Sequence, residues 1–251
     1  MTRHDDSNSG DCYRSHDRLV IFDVDGTLVD SFAAIERAFE AHGMDIGDLE
    51  RFQRRRKLLK YLGGLREFPK NLRRQISKQQ RRQFRSTLTE IYRAEAVVFP
   101  AMIELVQRLI ESPQIRVGIV SRNVTEEPEV SIRQVLARHD IDHERLDFLT
   151  CLPLSEDKAA EFAQVRQSLD VNPVHSFACG DEFTDYAAAI SAAVCPLMVS
   201  YGFEDYERLA GKFGIPDPLI SRTPGELASR LVHALDLASP TSPRLQRKNA
   251  A

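Results

Sequence analysis

Two carboxylates, Asp23 and Asp25, stand two residues apart directly after the apolar run Leu19-Val20-Ile21-Phe22, and Gly26 and Thr27 follow them. By itself a D-x-D-G after a strand suits a plain turn, because Asp bonds its own backbone and Gly tolerates positive φ. It also begins like a calcium loop, but that loop needs Gly at its sixth position and Glu at its twelfth. Here Gly26 is fourth and the twelfth residue is Ala34, so calcium by that route is excluded. Three further polar clusters repeat the placement. Ser121, Arg122 and Asn123 follow the apolar stretch Ile115-Arg-Val-Gly-Ile-Val120; Lys158 lies just past the stretch ending near Cys151; Gly180, Asp181 and Glu182 follow Ser176-Phe-Ala-Cys179, with Asp185 close behind.

Each residue has a plainer reading: Ser121 as a helix cap, Lys158 as a solvated charge, Asp185 as a first-turn acid favoured by the helix dipole. Gathered in one place, they say more. Asp23, Asp25, Asp181 and Asp185 would repel one another, and some would stay protonated unless a cation sat among them. Magnesium suits such a set, since it takes one or two carboxylates, several waters and a substrate phosphate. Lys158 and the Ser121 hydroxyl add donors for phosphoryl oxygens, and an Asp carboxylate can serve as a nucleophile. The chemistry is that of a phosphoryl group held between a metal, an ammonium and a carboxylate.

The elements that would have to position these groups alternate between strand and helix. Strands are expected at Leu19–Phe22, 115–120, 146–151, 176–179 and 194–199. Helices are expected up to Glu111, over 130–138, from a Ser155 cap to Leu169, over 184–192, and after a Thr223 cap with Leu227, Leu231 and Leu235. That order predicts an α/β fold, a doubly wound parallel sheet with helices on both faces. In such sheets ligands bind beyond the carboxyl ends of the strands, where the four clusters fall.

The composition is that of a soluble globule, with 42% hydrophobic and 28% charged residues. No apolar run approaches the roughly 20 residues of a membrane helix. Residues 1–17 lack the apolar segment of a secretory signal and, with the Pro/Ser-rich tail 239–251, read as disordered arms. The four cysteines, Cys12, Cys151, Cys179 and Cys195, show no paired C-x-x-C spacing, which argues against zinc and suits a cytoplasmic location. The net charge of −3 hides a basic stretch from Arg51 to Arg93, with 15 Lys or Arg against 2 Glu. Such a run is usually the solvated face of helices; steering of anionic substrates and binding to nucleic acid or another polyanion are its alternatives. A Gly63-Gly64 pair followed by Arg66 offers either a simple interhelix loop or a turn with a cation placed to reach a substrate carboxylate or second phosphate.

In their order, FDVDGTL, GIVSRN, Lys158 and GDEFTD resemble the four motifs of the haloacid dehalogenase superfamily of hydrolases, over about Leu19 to Leu237. The resemblance implies a Rossmann-like core with Asp23 as nucleophile toward phosphorus and Asp25 as general acid, then base. It implies magnesium held by the Asp23 carboxylate, the Asp25 backbone carbonyl, Asp181 and Asp185, the last directly or through water. Ser121 and Lys158 would grip the transferring group, with Arg122 beside them as a substrate-binding residue. Dehalogenases proper typically lack the second Asp of the first motif and need no metal, so Asp25, Asp181 and Asp185 favour phosphoryl chemistry. Residues 32–97 resemble the helical cap often inserted after the first motif, leaving 18–31 and 98–238 as the core. VSYGF and ISRTPGEL resemble stretches of phosphoglycolate phosphatase-type members. The function expected is a magnesium-dependent phosphatase for a small phosphate monoester, of unspecified oligomeric state. A phosphoglucomutase-type transfer and a polyanion-binding module are the alternatives.

Overall fold

A computed structural model of the chain describes residues 17–43 and 78–237. The Gly63-Gly64 turn, Arg66, both terminal arms and Cys12 lie outside those residues. Strand β1 (Arg18–Phe22) is the centre of the fold. Its side chains alternate between two faces: Val20 and Phe22 join one core cluster, Leu19 and Ile21 the other. Because both faces are covered, the strand reads as continuously apolar, as parallel strands buried on both faces do. Complete burial of Phe22 alone is worth about 1.5–3 kcal/mol.

Around β1 the sheet adds β4 (Ile115–Ser121), β5 (Phe148–Cys151), β6 (Ser176–Gly180), β7 (Cys195–Val199) and β8 (Ile220–Ser221). The strand order is β5-β4-β1-β6-β7-β8, and every pairing is parallel. The chain runs from β1 to one side through β4 and β5, then crosses back to β6 on the other. The point of reversal lies at the carboxyl end of β1, where such sheets bind ligands.

The helices are α1 (Phe32–Ala41), α2 (Lys78–Glu95), α3 (Pro100–Glu111), α4 (Pro128–Arg138), α5 (Ala159–Ser168), α6 (Phe183–Ser191) and α7 (Pro224–Ala234). Thr223 caps α7 as expected, its hydroxyl accepting the Glu226 N–H at 3.1 Å. Helix α5 departs from expectation. It begins at Ala159 rather than after Ser155, because Asp157 Oδ1 accepts the Ala159 N–H at 2.6 Å and starts the helix there. A small antiparallel pair, β2 (Val29–Asp30) with β3 (Val97–Val98), was not expected, nor was the π-helical turn Glu207–Lys212.

Helices α1 and α2, in the stretch expected to begin and end the cap, pack through Ile35, Ala38, Phe39, Phe84 and Leu88, with Phe203 in the same cluster. Two of the described cations of the basic stretch are committed internally. Arg85 donates to the Val124 and Thr125 carbonyls at 3.2 and 2.7 Å, and Arg93 to Ser131 and Glu127 at 2.9 and 3.0 Å. Among the described residues no helix is long and apolar enough to cross a membrane.

Candidate active site

The ladder between β1 and β6 continues one residue past Phe22, where the Asp23 N–H donates to the Cys179 carbonyl at 2.9 Å. The chain then coils tightly. The N–H groups of Thr27, Leu28 and Val29 converge on the Val24 carbonyl, and that of Gly26 donates to Val29 at 2.8 Å. The coil requires φ of +81° at Gly26, and a Cβ there would lie 2.4 Å from Asp181 Oδ2. Glycine is the residue that meets both demands.

Asp23 is 7% exposed. Its Oδ1 accepts the Val24 N–H and the Ser121 hydroxyl, each at 2.8 Å, and its Oδ2 lies 3.0 Å from Lys158 Nζ. That ammonium, also buried, reaches Asp185 Oδ1 at 2.8 Å. Asp185 is fixed in turn by a capping box at the start of α6, its Oδ2 accepting the Glu182 N–H at 3.1 Å. Asp181 is fully buried, and its Oδ2 accepts the Phe203 N–H at 2.6 Å. β1, β4, β6 and the start of α5 thus converge from separate places in the chain.

The electrostatics follow from burial. Asp23 is pushed above its ordinary value by desolvation, against the pull of Lys158, with Asp185 adding to the rise. Desolvation acts on Asp185 too, but the Lys158 charge and hydrogen bond, with Arg122 and the Glu182 amide, bring it below its ordinary value. Lys158 is raised: desolvation disfavours its charge, and the flanking Asp185 and Asp23 outweigh that. One ammonium therefore lies between two buried carboxylates, Asp23 and Asp185, with a third, Asp181, close by. Oxygen atoms of Asp23, Asp181 and Asp185 all lie within 4.8 Å of one another. An all-oxygen, net-negative donor set of this kind fits a hard divalent cation such as magnesium.

Asp25 stands apart from that trio. Its Oδ1 accepts the Tyr92 hydroxyl at 2.9 Å and its Oδ2 the Asn123 amide at 2.9 Å. Burial first, then the charge of Asp23, raise it above its ordinary value, and these donors oppose the rise. The site thus holds one carboxyl paired with an ammonium and another, two residues on, kept among neutral donors. Divergent environments of that sort separate acid/base from nucleophilic roles.

Arg122 takes a different place from Ser121 and Lys158. Its Nη2 donates to Thr184 at 2.8 Å and to Glu182 at 3.2 Å, which ties the loop after β4 to the loop after β6. The sequence alone does not mark Tyr92, Gly202 or Phe203 as site residues, and it places Asn123 beside Ser121 without a role. Position beside Ser121 was the only signal for Asn123. Tyr92 lies on the apolar stripe of α2 beside Leu88, where nothing marks it as facing an acid. A Cβ at Gly202 would lie 2.4 Å from the Gly26 carbonyl and 2.5 Å from Asp181 Oδ2, so this loop forms a wall of the acidic trio.

Comparison with known proteins gives a consistent frame. The family model of haloacid dehalogenase-like hydrolases matches residues 18–193. No curated protein matches the chain. Solved structures are similar at low identity. SP0104 of Streptococcus pneumoniae, a haloacid dehalogenase-like hydrolase, is 22% identical at a TM-score of 0.56, covering 85% of this chain and 98% of its own. CbbY of Rhodobacter sphaeroides, solved in complex with phosphate, is 18% identical at a TM-score of 0.61, covering 88% of this chain and 100% of its own. A protein of Lactobacillus delbrueckii subsp. bulgaricus with a provisional phosphoglycolate phosphatase name is 18% identical at 0.59, covering 87% and 98%. Likeness at this level concerns the fold.

Proposed function

This chain belongs to the haloacid dehalogenase-like hydrolases, and from that premise we propose that it is a magnesium-dependent phosphatase of small phosphate monoesters. The observation that carries the reading is Asp25, held two residues from Asp23 by Tyr92 and Asn123 while Asp23, Asp181 and Asp185 form a separate trio. Phosphoryl transfer to a carboxylate with a protonated leaving group needs both a nucleophile and a placed acid.

In this reading an oxygen of Asp23 bonds to phosphorus as the ester P–O bond breaks, and Asp25 gives its proton to the departing oxygen. A water oxygen then attacks the same phosphorus, Asp25 takes up the water proton, and the Asp23–phosphorus bond breaks, returning the carboxylate and inorganic phosphate. Ser121 orients Asp23 through its 2.8 Å hydrogen bond. Lys158 holds Asp23 and Asp185 and offers positive charge to the phosphoryl oxygens. Magnesium bound by Asp23, Asp181, Asp185 and the Asp25 carbonyl would neutralise and polarise those oxygens. We assign Arg122 to bracing the two loops, with substrate contact secondary.

The division into a core (18–31 and 98–238) and a helical cap (32–97) belongs to the same proposal, as does a cytoplasmic location, which agrees with the free thiols of Cys151, Cys179 and Cys195. The internal bonding of Arg85 and Arg93 favours a bracing role for that part of the basic stretch over a polyanion surface. A phosphorylated small acid is the first substrate to try, on the strength of the C-terminal motifs and the Lactobacillus relative. The test is phosphate release from a panel of monoesters, with magnesium or with EDTA, for wild type and Asp23→Asn. Magnesium-dependent release lost in Asp23→Asn is expected. Turnover that survives in Asp23→Asn would overturn the nucleophile, and phosphoryl appearing on a sugar acceptor in place of free phosphate would mark a mutase.

A further inference from the structure

Helix α2 brings the Tyr92 hydroxyl into the site, and it is aimed at the acid. The Tyr92 hydroxyl, on a side chain 2% exposed, donates to Asp25 Oδ1, while Asn123 donates to Asp25 Oδ2. We propose that Tyr92 and Asn123 are positioning residues that lock the plane of the Asp25 carboxyl toward the leaving-group oxygen. This rests on the reading of Asp25 as the acid given above.

The geometry is over-determined. The Asn123 Oδ1 accepts both the Thr125 N–H at 2.9 Å and the Thr125 hydroxyl at 2.6 Å. With two donors filling that oxygen, the amide has its NH2 left to face Asp25, so its orientation is set by Thr125. A carboxyl with a donor on each oxygen cannot rotate about its terminal bond without breaking both. The directions left for the reacting proton are those that these donors do not occupy.

The two donors are also joined to each other. Arg85 of α2 donates to the Val124 and Thr125 carbonyls, and Thr89 of the same helix accepts the Glu126 N–H at 2.9 Å. One turn further on, Arg93 holds Glu127 and Ser131. Helix α2 and the loop after β4 are therefore bonded together through Arg85, Thr89 and Arg93, and between them they carry both bonds to Asp25. Asp23 is held by a different set, the Val24 amide, Ser121 and Lys158, none of which belongs to α2. The proposal thus separates two sets of residues by chemical step: one set serves the nucleophile, the other the leaving group.

The experiment compares two monoesters under magnesium, using the full chain. One is an alkyl phosphate, whose alkoxide leaves only with a proton. The other is p-nitrophenyl phosphate, whose phenolate leaves without one. Variants are Tyr92→Phe and Asn123→Ala, with Asp23→Asn and Asp25→Asn as references, and thermal melting reports folding. For Tyr92→Phe the expected result is a ten- to hundredfold lower kcat on the alkyl ester, the size of a lost hydrogen bond to the carboxylate that develops as Asp25 gives up its proton. KM should hold, and the loss on the aryl ester should be at least tenfold smaller. Asn123→Ala should give the same pattern, which keeps the test alive if one variant folds poorly. Equal losses on the two esters would overturn the inference, as would a change confined to KM. If Asp25→Asn discriminates between the esters and Tyr92→Phe does not, the positioning role alone fails. If Asp23→Asn still turns over, the underlying reading of the site is what fails.

Discussion

Gly202→Ala adds a single methyl group in the loop after β7, and the structure specifies what it strikes. The new Cβ would sit 2.4 Å from the Gly26 carbonyl oxygen, 2.5 Å from Asp181 Oδ2 and 2.6 Å from Asp181 Cβ. Real Cβ contacts do not come this close, and two of the three atoms are backbone or the root of a side chain. Either the loop or Asp181 must move. Gly202 has no positive φ, so the whole cost is steric. Overpacking of this kind costs about 1–3 kcal/mol, which lowers Tm by roughly 2–12 °C for a chain of this size. The functional loss should exceed the loss of stability, because Asp181 is pushed from the trio and its 2.6 Å bond to Phe203 is broken. A displacement near 1 Å at a reacting centre costs about a hundredfold in rate. The control is Gly225→Ala near the start of α7, where an added Cβ meets nothing within 4 Å and stability should rise by a few tenths of a kcal/mol up to about 1 kcal/mol. The assay is kcat and the magnesium midpoint at a temperature where both variants are fully folded by circular dichroism. If Gly202→Ala matched Gly225→Ala in both, the close approach of this loop to Asp181 would be refuted.

Two further outcomes follow from the acids. Asp25 is held above its ordinary 3.8 by burial and by Asp23; a raised folded value gives stability that is fully present below 3.8 and is lost as pH rises through it. In EDTA, Asp25→Asn should therefore gain Tm relative to wild type as pH climbs from about 4 to about 7, and a constant difference across that range would contradict the assignment. Magnesium binding to the folded chain should raise stability by about 2.7 kcal/mol at a hundredfold excess over Kd. The rise should shrink in Asp181→Asn, and an equal rise in both proteins would place the ion elsewhere.

The sheet was legible because β1, β4, β6 and β7 are short, apolar and set off by polar clusters. The same pattern exposed Asp23, Ser121, Lys158, Asp181 and Asp185, each standing at or just past a strand end, where a parallel sheet binds its ligands. What stayed hidden depends on contacts between distant segments. Tyr92 is one apolar-stripe position among several until Asp25, 67 residues away, is brought against it. The glycine of VSYGF is an ordinary loop residue until the turn at Gly26 is laid beside it. β2, β3 and β8 have two residues each, too few to show a period. The start of α5 was decided by which of two nearby polar residues, Ser155 or Asp157, took the first free amide, and a carboxylate adjacent to the helix prevailed.

The central claim is that Asp23 forms a bond to phosphorus. Its most direct test is an acid quench during turnover, followed by mass spectrometry of the tryptic peptide 19–37, which contains Asp23, Asp25 and Asp30. The account predicts a phosphoryl-mass increment on that peptide, localised by fragmentation to Asp23, accumulating in Asp25→Asn and missing from Asp23→Asn. A phosphoryl group on any other residue, or none in an Asp25→Asn enzyme that still cleaves p-nitrophenyl phosphate, would contradict it.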